Sequence, residues 1–324
     1  MRVAAIDIGS NSVRLLVADV GDGPDRAVVD ALARAGEVCR LARNLDSTGS
    51  IEEEAARRAG QLVAEFVRRG RSLGARHIVV GATAAIRSAR NGPGVAEIIA
   101  RRAGVPVRIL TGDEEARLVY RSVVLGLGRS ASHSACVAFD IGGGSTEVVS
   151  GVGVCAGRWT SLPFGAVSLT ERHLHSDPPS SEEVVALTDE VRSIIMHDCA
   201  LMPSVVPLLV GVGGTVTVLA SMDRGLASYD PVLLEGWCIR PARLAALVQQ
   251  LAASRHDERR GRHIIGEGRA DIIIAGALVV SVLFERFPAP GLVCSTQGLR
   301  YGLVRMAAEE AAGGAGGHPA GGSS

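Results

Sequence analysis

The chain has no lysine, although it carries 34 basic residues among its 324. Every basic residue is therefore an arginine, which excludes Schiff-base chemistry and the lysine of a Walker-type phosphate loop. A phosphate group bound by this chain would have to be held by backbone amides, arginine side chains or a metal ion.

Aromatic residues are also scarce, at 3% of the chain, and the formal net charge is zero. So few aromatic rings exclude the stacking platforms that bind single-stranded nucleic acid. A neutral chain has no general attraction for polyanions. We predict no nucleic-acid partner, and any polyanion must be bound by local clusters of charge.

The cysteines are few, far apart and without C-x-x-C or Cys/His zinc spacing. We interpret all six as reduced core residues. No apolar run reaches a membrane-spanning length, and the N-terminus has no charged, apolar signal region. The sequence therefore predicts a cytoplasmic protein without a membrane partner.

Hydrophobic residues make up 47% of the chain, which is enough to form the cores of two compact α/β domains. A polar stretch of small residues, 128–134, predicts the boundary between a first domain at 1–127 and a second at 128–310. The last helix, 299–310, could pack back onto the first domain. The Gly/Ala-rich tail, 311–324, is predicted to be disordered.

The stretch Val137 to Val149 predicts two strands joined by three consecutive glycines. Without Cβ atoms in the turn, backbone N–H groups can converge on a phosphate. Asp140 closes the first strand and Glu147 lies in the second, so carboxylates that could hold a divalent cation stand beside the turn. A plain hairpin is the alternative interpretation.

The N-terminus repeats this pattern, with Asp7 at the end of a strand that leads into Ile8 to Ser12. Two similar hairpins predict duplicated lobes that face each other across a cleft. A third glycine-rich turn, Gly211 to Thr215, joins a strand to a helix whose N-terminus could bind phosphate. A tight packing turn would explain the third pattern equally well.

Two further places offer charged side chains for chemistry. Arg87 lies in a small-residue turn at the end of a strand, where α/β sheets bind ligands, although it could be a solvated surface residue.

Glu114 and Glu115 follow Thr111, and capping of a helix explains both acids. Alternatively, one of the two orients or deprotonates a water that attacks phosphorus. The residues alone do not choose between them.

The segment Arg255 to Arg262 is predicted to be a basic loop, which is usually only a solvated face. A long polyanion would need such cations beyond the catalytic turns. The candidates for guiding it are Arg90, Arg101, Arg102, Arg255, Arg259, Arg260 and Arg262.

Six motifs, in this order, resemble the exopolyphosphatase and guanosine pentaphosphate phosphohydrolase family, Ppx/GppA. They are DIGSNS from Asp7, GATAAIRSARN from Gly81, GDEEARLVY from Gly112, DIGGGSTE from Asp140, GVGGT from Gly211 and RADIIIAGA from Arg269. The resemblance covers Met1 to about Arg305. It implies an α/β fold of the actin-like ATPase superfold, with two ribonuclease-H-like domains and the site in the interdomain cleft.

The resemblance also implies roles for individual residues. Glu115 would be the general base, and Asp140 and Glu147 would bind Mg²⁺ with Asp7 nearby. The residues implied to bind the substrate phosphate are Ser10, Asn11, Arg87, Gly142, Gly143, Gly144, Ser145, Thr146, Gly213, Gly214 and Thr215.

We therefore predict a Mg²⁺-dependent hydrolase that releases terminal orthophosphate from inorganic polyphosphate by direct attack of water, since no covalent nucleophile motif is present. The alternative substrate is pppGpp, converted to ppGpp. A non-catalytic (p)ppGpp sensor and a kinase of the same superfold are less favoured. Flanking arginines favour polyphosphate, whereas the expected lack of the HD-like C-terminal domains of long members favours shorter chains or pppGpp. A homodimer is expected.

Overall fold

The structure is a computed structural model that describes residues 1–21, 28–128, 131–266 and 268–315. The strands are β1 (Arg2–Ile8), β2 (Ser12–Val20), β3 (Val29–Val38), β4 (His77–Ala82), β5 (Arg108–Ile109), β6 (Ala135–Ile141), β7 (Thr146–Val152), β8 (Cys155–Leu162), β9 (Leu208–Val212), β10 (Cys238–Ile239) and β11 (Leu292–Cys294). The helices are α1 (Leu45–Thr48), α2 (Glu53–Ser72), α3 (Ala84–Ser88), α4 (Gly92–Ala103), α5 (Gly112–Leu127), α6 (Ala166–His173), α7 (Ser181–Asp198), α8 (Gly213–Arg224), α9 (Pro231–Leu234), α10 (Pro241–Ala252), α11 (His256–Gly261), α12 (Ile273–Arg286) and α13 (Leu299–Ala315).

The strands form two mixed sheets that repeat one order. The first sheet runs β3-β2-β1-β4-β5 and the second runs β10-β11-β9-β6-β7-β8. In each, an antiparallel three-strand meander is extended by parallel strands, β4 beside β1 and β9 beside β6. The predicted pair of similar α/β lobes is confirmed.

The central strand β1 is buried on both faces, because α2 packs on one face and α13 packs on the other. Ala4 and Ile6 pack in the outer core with α2 and α4, whereas Val3 and Ala5 belong to the core between the sheets. Alternate side chains of a strand point to opposite faces, so a doubly covered strand must be apolar throughout.

A shared apolar layer joins the two lobes. Helix α5 packs against β7 and β8 of the second sheet, α13 packs against β1 and β2 of the first, and the two helices pack on each other. Their core unites side chains from both sheets and both helices, among them Leu16 of β2, Ala138 of β6, Tyr120 of α5 and Leu303 of α13. The lobes are thus held together along one side, which leaves a cleft between their turns.

Three predictions made from the sequence need correction. Residues 256–261 form helix α11 instead of a loop, because Glu258 accepts a hydrogen bond from the Arg255 N–H at 2.9 Å and starts a helical turn. Helix α13 continues to Ala315, with Ala311 and Ala312 favouring helix and Gly313 and Gly314 included in it despite their low propensity. Residues 316–324 of the predicted disordered tail lie outside the described residues. Cys155 and Cys238 are exposed, because each lies in a strand at the edge of its sheet.

Within the described residues, none of the helices combines the length and the apolar character needed to span a bilayer.

Candidate active site

Three turns meet between the lobes: the β1–β2 turn, the β6–β7 turn and the β9–α8 turn. Together with the start of α5 they line a cavity of about 90 Å³. The residues predicted to form the site that stand in its wall are Asp7, Ser10, Asn11, Glu115, Asp140, Gly142, Gly143, Ser145, Glu147, Gly213, Gly214 and Thr215.

The other three predicted site residues stand around this cavity. Arg87 reaches it through its contact with Glu115. Gly144 lies behind the wall, where a Cβ would be 3.1 Å from the Ser10 Oγ. Thr146 is fully buried, and its hydroxyl donates to the Phe164 carbonyl at 2.9 Å, so this side chain is engaged with the backbone.

The two hairpin turns touch each other directly. Both are closed in the same way, by Gly9 N–H donating to Ser12 O at 3.0 Å and Gly142 N–H donating to Ser145 O at 2.9 Å. A Cβ added at Gly143 would lie only 2.8 Å from the Ser10 Cβ. The glycines therefore permit the close approach of the two lobes as well as the exposure of backbone amides.

The structure separates the two acids that open α5. Glu114 completes a capping box, since it accepts from the Thr111 N–H at 2.9 Å, and it also accepts from Arg108 Nη2 at 2.6 Å. Glu115 is only 7% exposed and accepts a hydrogen bond from Arg87 Nη1 at 2.8 Å. Glu114 thus caps the N-terminus of α5, whereas Glu115 lies in the cleft.

Polar contacts link Glu115 to the second hairpin. Arg87 also donates to the Leu110 carbonyl at 3.1 Å, and its Nη2 lies 3.8 Å from Glu147 Oε1. Ser161 donates to the same Glu147 oxygen at 2.9 Å. The sequence analysis missed Ser161, and the signal that could have found it is register: Ser161 is the cross-strand partner of Glu147 in β8.

Burial crowds these carboxylates and changes their acidity. Burial and the neighbouring Glu147 raise the pKa of Glu115 well above its usual value, against the opposing effect of Arg87. Burial, with repulsion from Glu147, raises the pKa of Asp140 to about 7. Burial likewise raises the pKa values of Glu147 and Asp7. The site therefore holds several buried carboxylates close together, and a bound cation would reduce the repulsion between them.

The acids fit a magnesium ion that is shared with a substrate. One oxygen of Asp7, Oδ1, is buried without a hydrogen-bond partner in the described structure. Among the described residues, no three His, Cys, Asp or Glu side chains converge as a complete metal site. Mg²⁺ is commonly held by one or two carboxylates plus water and substrate phosphates, so a complete set of protein ligands is not required.

A second cavity, of about 470 Å³, adjoins the first and shares Asp7 and Asp140 with it. Its wall includes four arginines and a half-exposed tyrosine, which are Arg14, Arg34, Arg269, Arg300 and Tyr229. Burial and repulsion from neighbouring arginines lower the pKa of Arg269 to about 10. An anion in this cavity would offset the crowded positive charge.

The sequence analysis did not assign these arginines to the site. A usable signal existed for Arg14, because a charged residue interrupts the apolar run of β2 directly after the hairpin turn. Arg269 entered the sequence analysis only as the first residue of the motif RADIIIAGA. Arg34 and Arg300 reach the cavity through the packing of β3 and α13, which no local pattern reveals.

One arginine proposed to guide a polyanion is not available for this. Arg259 is 5% exposed, and it donates to the Ala270 carbonyl at 2.8 Å and to the Ser254 carbonyl. That prediction is wrong, because the helical turn of α11 directs this side chain into the protein.

The repeated lobe topology and the cleft between the hairpin turns define a protein of the actin-like ATPase superfold, with buried acids in that cleft. The model of the Ppx/GppA phosphatase family matches residues 16–310. The chain belongs to this family.

Named relatives and a solved structure agree with this assignment. The chain is 34% identical to exopolyphosphatase 2 of Mycobacterium tuberculosis, over 87% of this chain and 89% of that protein. It is 28% identical to a guanosine-5'-triphosphate,3'-diphosphate pyrophosphatase of Vibrio campbellii, over 95% of this chain but only 59% of that protein. The crystal structure of the Aquifex aeolicus family member superposes with a TM-score of 0.80 at 29% identity, covering 98% of this chain and 99% of that one.

Proposed function

We propose that the chain hydrolyses the terminal phosphoanhydride bond of inorganic polyphosphate and releases orthophosphate by direct attack of water. The observation that carries the proposal is Glu115, a buried carboxylate of raised pKa beside Arg87 and the glycine turns of both lobes. A carboxylate with a pKa closer to neutrality is a better general base.

Each part of the site has a role in this proposal. Glu115 accepts the proton of the attacking water, and Arg87 stabilises the negative charge that develops on the phosphate oxygens. The backbone amide of Gly143 binds the terminal phosphate, because the Gly142 N–H is already donated to the Ser145 carbonyl. Asp7, Asp140 and Glu147 would hold Mg²⁺, which when bound neutralises phosphate charge.

The second candidate substrate is pppGpp, and the larger cavity favours it. A volume of about 470 Å³ beside the acids is in the range of nucleoside-sized pockets, and Tyr229 offers a ring for stacking. Its arginines could equally hold the next phosphates of a polyphosphate chain. A (p)ppGpp sensor and a kinase of the same superfold remain less favoured, because the role proposed for Glu115 is the activation of water.

A side-by-side comparison tests the substrate. The values of kcat/KM for short polyphosphate, long polyphosphate and pppGpp are measured with Mg²⁺ and no acceptor, and Glu115→Gln serves as the inactive reference. We expect polyphosphate to be preferred, with oxygen from labelled water appearing in orthophosphate. A hundredfold preference for pppGpp would overturn the substrate, and a trapped phosphoenzyme would overturn direct attack by water.

The cytoplasmic location and the homodimer predicted from the sequence are kept as part of this proposal. Light scattering of the purified chain tests the dimer, and a monomer at micromolar concentration would refute it.

A further inference from the structure

A short segment of the second lobe, residues 268–271, contacts the first lobe across the cleft. The Asn11 side-chain amide donates to the Gly268 carbonyl at 3.2 Å, and Arg40 Nη2 lies 3.0 Å from Asp271 Oδ2. Gly268 packs so closely on Val38 that an added Cβ would be 2.4 Å from its Cγ2. These contacts join the turns of the first lobe to the entrance of α12.

The rear of the segment is fixed to its own lobe. The buried Arg259 donates to the Ala270 carbonyl at 2.8 Å, and the His256 Nε2 lies 2.6 Å from the other Asp271 oxygen, Oδ1. Because the segment is anchored to the second lobe in this way, the distance between Arg40 and Asp271 depends on the position of one lobe relative to the other.

Arg269 lies between these two contacts with the first lobe. It lines both cavities, and its Nε would be 2.7 Å from a Cβ at Gly214, in the third glycine turn. The position of this guanidinium therefore depends on how the segment sits against the first lobe.

We propose that Arg40 and Asp271 form a latch across the cleft that positions Arg269 for substrate binding. Both side chains are substantially exposed, 52% for Arg40 and 42% for Asp271. An exposed pair contributes little net stability, so the latch can open and close at low cost as substrate enters and product leaves. Arg40 and Asp271 are positioning residues, because neither needs to touch substrate.

Hydrogen exchange tests the latch without any activity measurement. In Arg40→Ala we expect faster amide exchange in the peptide that covers residues 268–276, because the segment loses its partner across the cleft. Arg57→Ala is the matched control, since it removes an exposed arginine paired with Glu54 within the first lobe. Equal exchange in wild type and Arg40→Ala would overturn the latch.

Kinetics test the positioning role, and this readout rests on the proposed function. We expect Arg40→Ala and Asp271→Asn to raise KM for polyphosphate about three- to fivefold with a small change in kcat, as loss of an exposed pair permits. Arg40→Lys should retain a near-normal KM, because it keeps the positive charge opposite Asp271. An unchanged KM in Arg40→Ala would overturn positioning. If wild type hydrolyses no substrate, the proposed function fails while the exchange experiment still decides the latch.

Discussion

At the scale of single residues, the decisive contrast lies between two adjacent acids with different partners. Glu115 faces Arg87 in the cleft, whereas Glu114 holds the N-terminus of α5 and pairs with Arg108. The residue pattern alone did not distinguish the two acids, and the family resemblance implied Glu115; in the structure their side chains have different partners. The proposal that Glu115 is the base rests on this difference.

We predict that Glu115→Gln lowers kcat by about two to four orders of magnitude and leaves KM nearly unchanged, because the amide cannot accept the proton of water. Glu114→Gln is the neighbouring control and should retain nearly full kcat with slightly reduced stability, since it loses the Arg108 pair. Phosphate-release kinetics on both variants decide the matter. An active Glu115→Gln with an inactive Glu114→Gln would reverse the assignment.

Asp140 leads to a prediction on stability and pH. Its pKa rises from 3.8 to about 7 on folding, so the folded chain binds this proton more tightly than the unfolded chain. The free energy of unfolding should therefore fall as pH rises through this interval, and the loss is complete above the folded pKa. In the presence of EDTA, Asp140→Asn should be more stable than wild type at pH 8, by a few kcal/mol, but not near pH 4.

Urea unfolding at several pH values measures this difference. Asp19→Asn is the control, because Arg2 lowers the pKa of the exposed Asp19 carboxyl and its loss should not stabilise the chain. Equal stability of wild type and Asp140→Asn at pH 8 would contradict the buried-charge interpretation.

At the scale of elements, the glycine turn of β6–β7 controls how closely the hairpins approach. Gly143→Ala brings a Cβ to within 2.8 Å of the Ser10 Cβ, so the lobes must separate slightly. We expect a higher KM and a lower kcat, with little change in the free energy of unfolding. Gly94→Ala is the control: it lies in α4 with no heavy atom within 4 Å of the added Cβ. The Gly94→Ala change should leave the free energy of unfolding unchanged or raise it by up to about 1 kcal/mol. Normal kinetics in Gly143→Ala would contradict the proposed packing of the two hairpins.

At the scale of the whole molecule, the shared layer of α5 and α13 should make the lobes unfold together. Leu303 is fully buried in this layer and contacts the first sheet at Gly81. Leu303→Ala should lower the free energy of unfolding by about 2–5 kcal/mol. The exposed Leu201→Ala should change it by less than about 0.5 kcal/mol. Calorimetry should show one transition in wild type, and two well-separated transitions would refute the coupling.

The sequence by itself determined the pattern of the fold and the chemistry of the turns. Apolar strands, glycine runs and the acids Asp7, Asp140 and Glu147 are local features, and local backbone and charge rules are sufficient to interpret them. The ordered motifs then indicated the family, the two lobes and the cleft between them.

Only the tertiary structure decided which side chains meet. Which of Glu114 and Glu115 faces the cleft depends on the direction in which α5 presents each carboxylate. Ser161 lies beside Glu147 because of strand register, and Arg269 lies beside Gly214 because of packing within the second lobe. Such contacts join residues far apart in the chain. They are set by register and packing, which a local sequence pattern does not encode.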